Sequence, residues 1–421
     1  MWQSLLFIII ISTVFPLRAQ DLTAEARRII DTLSSKTMSG RGYVNNGDRK
    51  AADYIVSYLK HISRIPDSNI VRQQVPFSIN TFPGAMLLEA DKQTLLPGQD
   101  FIVKAFSSSL KGKYRIKPVN LKQLWQSDST KISLRCGKRE VLCIRASDWP
   151  ASIERRKTEW LLEHKRFGAS ALIEIQSKKL TMDASQEQLP LTWIELLADT
   201  QAPIPHSINV NIENVFVPEY RSQNILGIVK GTTVPDSFLV FTAHYDHLGT
   251  LGTNTYFPGA NDNASGVSML LNLSKTIAQQ PLKYSTAFIF FTGEEAGLIG
   301  SHYFTQHPII PLNKIRFLVN IDLAGTGDDG IKVVNGAVDT LHFNKLKQLN
   351  DLEQLVKSVQ PRGKAANSDH YFFTQAGVPS FFIYTLGGIS AYHDIFDKAE
   401  TLPLSDYNDY YRLLLLYMKS F

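Results

Sequence analysis

Cysteine is almost missing, with two residues in 421, Cys136 and Cys143. They stand in LRCGKREVLC with no CxxC pair and no neighbouring histidine, which makes them a poor zinc signal. Two readings stay open for them, a single bridge across Gly137 and Lys138 or a pair of inert thiols. Runs of one charge are missing as well. The 44 basic and 39 acidic residues give a net charge of +5, and no Lys or Arg cluster is long enough to track a phosphate backbone, so nucleic acid is not an expected partner. No apolar run reaches the roughly 20 residues that span a bilayer. The nearest, Leu5 to Ile11 continuing through Val14, Phe15 and Leu17, ends at Ala19 before the polar QDLTAEAR. It reads as a secretory leader over residues 1–19, although no Lys or Arg precedes it. An exported chain follows, periplasmic or secreted, with no stable membrane insertion after cleavage. The oligomeric state is not legible.

What is present is ordinary globular composition, 44% hydrophobic and 20% charged, enough for one large core with a second module. The early segments EARRIIDTLSS and NNGDRKAADYIVSYLKHI have helical periodicity, with Asn46 or Asp48 placed to cap the second. Beyond Asp67 short β-like runs take over, among them RQQVPFSI, KYRIKPV, EVLCIRA and SINVNI, with one helical stretch at SIERRKTEWLLEHKRFGA. From about Asn224 strands and helices alternate: FLVFTAH, SGVSMLLNLSKTIAQ, TAFIFFTGEE, GLIGSHYFTQ, IRFLVNIDLAG and VPSFFIYT. Near-continuous apolar strands between amphipathic helices predict an α/β fold, a mostly parallel twisted sheet with helices on both faces. The expected boundaries are 20–71 and 216–421 for this α/β domain and 72–215 for an inserted, mainly β domain.

Open α/β sheets bind ligands beyond the carboxyl ends of their strands, and there the polar residues gather. FLVFTAH runs into His244 and Asp246, TAFIFFTGEE ends on Glu294 and Glu295, and Asp322 lies near the end of IRFLVNIDLAG. Asp262 sits in the Gly-containing loop PGANDNASG, and His393 in AYHDIFDKAET after the last strand. Each alone has an ordinary reading as a strand-end hydrogen bond or an acidic helix cap. Together they form a mixed nitrogen and oxygen ligand set suited to zinc. Two metals about 3.5 to 4 Å apart need a bridging carboxylate, and Asp262 is the candidate. His244 with Asp322 can serve one metal, and Glu295 with His393 the other. Glu294 then faces the water as general base. Asp246, two residues from His244, is spaced to hold that imidazole, whereas His247 reads as a structural histidine on the opposite face.

In order, TAHYDHLG, PGANDNASGVSMLL, FTGEEAGLIGS, NIDLAGTG, SDHYFF and YHDIFD resemble the signature of the co-catalytic zinc aminopeptidases of the M28 metallopeptidase family. SGRGYVNNGDRKAADYI is similar to that family's helical lead-in. The resemblance implies the zinc-aminopeptidase fold and two Zn2+ per chain. It implies His244, Asp262, Glu295, Asp322 and His393 as ligands, Glu294 as general base, Asp246 as a supporting catalytic carboxylate, and a cis peptide after Asp262. It implies peptides with a free N-terminus as substrates. KREVLCIRA and FGASALIEI look like strands of the protease-associated domain. Some members carry a tyrosine shortly before the Ser-Asp-His motif, which GKAANSDH lacks, so His370 and Tyr371 become candidates for the donor to the carbonyl oxygen. Asp394 stands where a threonine is common. The competing readings are a mono-zinc glutaminyl cyclase, a carboxypeptidase and a non-enzymatic binding ectodomain.

Overall fold

The computed structural model describes residues 22–123, 134–153, 156–162, 167–199 and 201–421. The expected leader at residues 1–19 lies outside them. Two eight-stranded sheets organise the chain. In the first, the spatial order is Ile70–Thr81, Val215–Val229, Tyr284–Phe291, Val234–His244, Ile315–Ile321, Ser380–Leu386, Gly330–Val334, Val359–Arg362. The four middle strands from Tyr284–Phe291 to Ser380–Leu386 run parallel, and antiparallel pairings flank them, making the sheet mixed.

The apolar runs become strands because both of their faces are covered. Leu239, Phe241 and Ala243 pack against helices Leu22–Leu33, Gly47–His61, Gly266–Gln279 and Tyr407–Lys419. The alternate residue Val240 faces Phe304 and Phe373 of helices Ile299–Gln306 and His370–Gln375, as the two-residue strand period requires. Neither predicted cap of helix Gly47–His61 is used: Asn46 is left-handed and makes no capping bond. Asp48 is buried instead, accepting hydrogen bonds from Tyr220 Oη and Ser222 Oγ.

The second sheet is built between residues 86 and 212, with Leu110–Pro118, Glu140–Arg145, Ala171–Gln176 and Thr192–Leu197 at its centre. It therefore occupies a narrower span than 72–215, because Ile70–Thr81, which contains RQQVPFSI, pairs with Val215–Val229 in the first sheet. Of the helical stretch expected after Ser152, the described residues retain Lys157–Leu162. Cys136 and Cys143 are both free thiols; Cys143 is buried, and Cys136 Sγ donates to the Glu140 carbonyl.

Candidate metal centre

Six of the predicted residues converge at the carboxyl edge of the parallel strands. His244 ends its strand and Asp322 follows Ile321 directly. Glu294 and Glu295 come just after Phe291, and His393 lies in the loop beyond Leu386. Asp262 belongs to the irregular turn Ala260–Ser265 that opens helix Gly266–Gln279, and the Asp262–Asn263 peptide is cis. The turn is held from outside itself. Asp397 accepts the backbone N–H groups of Asn261 and Asp262 at 2.8 and 3.0 Å, and Asn263 Nδ2 donates to the Ile321 carbonyl.

The distances sort these groups into two sets that share one residue. Asp262 Oδ1 is 3.3 Å from His244 Nε2, which is 3.5 Å from Asp322 Oδ2. Asp262 Oδ2 is 3.1 Å from His393 Nε2, which is 3.0 Å from Glu295 Oε2. Donors held tetrahedrally at zinc bond lengths of 2.0–2.2 Å stand about 3.3–3.5 Å apart, so the first set has the spacing of a common ion and the second is drawn slightly closer. The carboxylates of Glu294 and Asp322 also cluster with His244. Nε2 of His244 and Oδ1 of Asp322 are buried and make no hydrogen bond, a state that costs free energy unless a cation takes up the lone pairs. The donor set fits zinc, nitrogen and oxygen without sulfur.

Electrostatics separates the two neighbouring glutamates. Burial raises the Glu294 carboxyl well above the usual range, and the negative charges of Glu295, Asp369 and Asp322 add to this against the pull of His244. Burial also opposes ionisation of Glu295, yet His393 and His247 outweigh it and hold that carboxyl at about 2. Pairs of carboxyls driven apart in this way mark acid and base roles.

Asp246 is fully buried but does not clasp His244 as its spacing suggested. His244 Nδ1 is 3.2 Å from the Asp246 main-chain carbonyl and 3.8 Å from Asp246 Oδ1. The carboxylate instead accepts from Tyr43 Oη at 2.6 Å and from the backbone N–H groups of Glu294 and Glu295 at 3.2 and 3.3 Å. His247 also departs from its expected place. It is buried within the site, its Nδ1 2.6 Å from Glu295 Oε1, because the strand ends at His244 and alternation no longer assigns faces. His370 packs on Phe382 and Tyr371 on Phe372, and neither is hydrogen-bonded to the cluster. Asp394 accepts the Phe396 N–H and pairs with Lys179.

Three further residues belong here that composition and spacing did not single out. Arg41, completely buried, donates to the carbonyls of Pro258, Gly259 and Asp262 and so grips the turn that presents Asp262. Tyr43 fixes Asp246. Tyr392 stacks on His393, centroids 4.0 Å apart and planes 12° from parallel, while remaining 46% exposed. The only sequence signal for these was position: all three are polar or aromatic residues inside the quoted motifs.

The family model of Peptidase family M28 matches residues 224–418. Aminopeptidase YwaD of Bacillus subtilis is 30% identical over 225 residues, covering 51% of this chain and 47% of that protein. The chain thus spans about half the length, or less, of the curated relatives it matches. The crystal structure of BSAP, a zinc aminopeptidase from Bacillus subtilis, superposes with a TM-score of 0.71 at 19% identity, covering 94% of each chain. That of a Peptidase M28 precursor from Shewanella amazonensis does so with a TM-score of 0.71 at 16% identity over 95% of each. Both likenesses extend over nearly the whole chain and concern the fold.

Proposed function

From residues 224–418, which match the model of Peptidase family M28, we infer an exported dinuclear zinc aminopeptidase that hydrolyses the N-terminal peptide bond of peptides. The observation carrying this reading is the division of the Asp262 carboxylate, one oxygen toward His244 and the other toward His393. His244 and Asp322 would hold one ion, Glu295 and His393 the second, and Asp262 both. Zinc, when bound, polarises a carbonyl and lowers the pKa of water. Glu294, raised by burial and by its acidic neighbours, takes the proton from the attacking water and returns it to the leaving amine. Asp246 holds the backbone that carries Glu294 and Glu295. We assign the donor to the developing oxyanion to Tyr392, whose ring lies on His393 and is open to solvent. Residues 86–212, with their degenerate likeness to a protease-associated domain, shape access to the site. No described helix is long and apolar enough to cross a membrane.

The test is a panel of aminoacyl chromogenic substrates and their N-acetylated counterparts, assayed with wild type and Glu294→Gln. Hydrolysis confined to free N-termini, and lost in the variant, supports the reading. Cyclisation of an N-terminal glutamine with release of ammonia replaces it with the cyclase, and cleavage at a free C-terminus replaces it with the carboxypeptidase.

A further inference from the structure

The second sheet reaches into the metal centre itself. After strand Ala171–Gln176, residues 179–187 form a strap that contacts the loop carrying His393 and the segment following Glu295. Met182 meets His393 twice: its N–H donates to the His393 carbonyl at 2.9 Å, and its carbonyl is 3.1 Å from His393 Nδ1. A carbonyl only accepts, so this contact makes Nδ1 the protonated nitrogen and turns the Nε2 lone pair toward Asp262 and Glu295. His393 itself has a φ of 53°, a left-handed conformation that a non-glycine residue keeps only when its surroundings impose it.

Both ends of the strap are tied to loops that carry candidate ligands. Lys179 Nζ donates to the carbonyls of Ser390 and Tyr392 at 2.8 and 2.9 Å and pairs with Asp394 Oδ2 at 2.9 Å, bracketing His393. Gln186 Nε2 donates to the carbonyl of Ala296, the residue after Glu295, at 2.9 Å. The strap is anchored in turn by the Asn80 N–H on the Ser185 carbonyl and by Ser78 Oγ on the Gln186 carbonyl. Leu180 and Met182 are buried in the core of the second sheet.

We propose that the strap 179–187 is a positioning element of the metal centre, setting the tautomer and stance of His393, so that the second sheet governs retention of one ion as well as access. This rests on the two-zinc reading above. Lys179 acts through His393 and not on substrate. Zinc affinity separates this role from simple shielding, because a strap that merely covers the site alters KM for larger peptides and leaves the metal alone.

The experiment titrates zinc into the metal-stripped full chain against a competing chelator, for wild type, Lys179→Met and Lys179→Arg, with the absorption spectrum of the cobalt-loaded proteins alongside. The Lys179 side chain is 42% exposed, so the fold tolerates its replacement. Loss of an outer partner of a ligating histidine weakens metal binding about 10–100-fold. Lys179→Met leaves the Met182 carbonyl on the chain but loosens the strap that holds it against His393, so it is expected to weaken one of two zinc sites by up to that factor and to shift the cobalt spectrum, while the other site keeps its affinity. Lys179→Arg restores most of the loss. Gln186→Ala, at the other end of the strap, weakens the same site. Two zinc sites of wild-type affinity and an unchanged cobalt spectrum in Lys179→Met overturn the proposal, whatever happens to KM. A wild-type chain that binds one zinc overturns the two-zinc reading, and this inference with it.

Discussion

Tyr43 donates its hydroxyl to Asp246 Oδ2 at 2.6 Å across 203 positions of sequence. Without that bond the buried carboxylate keeps two longer backbone contacts, to Glu294 and Glu295. A hydrogen bond to a charged group contributes about 1.5–3 kcal/mol. Tyr43→Phe should therefore lower stability by roughly that amount in denaturant unfolding. It should also reduce kcat, as the Glu294 backbone loses its fixed support, and a kcat equal to wild type would remove Asp246 from the catalytic set.

Glu294→Gln keeps the shape of the side chain and removes its basicity. General base catalysis is worth about 10²–10⁴-fold, so kcat should drop by a factor in that range while zinc content holds. Retained activity would pass the role of base to another group.

Tyr392→Phe preserves the ring stacked on His393 and deletes only the hydroxyl. Loss of an oxyanion donor costs about 10²–10³ in kcat, and the loss should fall on kcat with KM little changed. An unaltered kcat would return the oxyanion donor to unassigned status.

The positions of His244, Asp322 and the two glutamates were legible because each follows a buried, near-continuous apolar strand, and a parallel sheet places such ends on one edge. Asp262 was legible from its glycine-bounded loop. What could not be read was long-range. Arg41 grips a turn more than 200 residues away, and the Met182 contact with His393 spans 211. Ile70–Thr81 and its partner Val215–Val229 lie at the two edges of the inserted span. The alternation of Ile70–Thr81 looks the same in either sheet, so pattern alone assigned it to the wrong one. His247 and Asp246 were misplaced for a shared reason: beyond the last strand residue, spacing ceases to determine direction.

His370 supplies one pH-dependent contribution, beside the buried carboxyls of Asp369 and Asp397, which burial raises to about 7 and about 6. Burial lowers its imidazole from 6.5 to about 4, so the folded chain keeps it neutral where the unfolded chain already takes up a proton. Its contribution is complete above the unfolded pKa near 6.5 and is lost as pH falls toward 4, in total roughly 3 kcal/mol at 1.36 kcal/mol per unit. Unfolding free energies at pH 7 and pH 4.5 should differ less in His370→Gln than in wild type. An equal difference would mean that His370 titrates alike in both states.

The central claim is that Asp262 joins two zinc ions. Elemental analysis of the purified, active chain, set beside Asp262→Ala, tests it most directly. Wild type should hold close to two zinc ions per chain and the variant should show a marked loss of both, since each set of donors includes one Asp262 oxygen. One zinc per fully active chain, or two that survive the loss of Asp262, would contradict it.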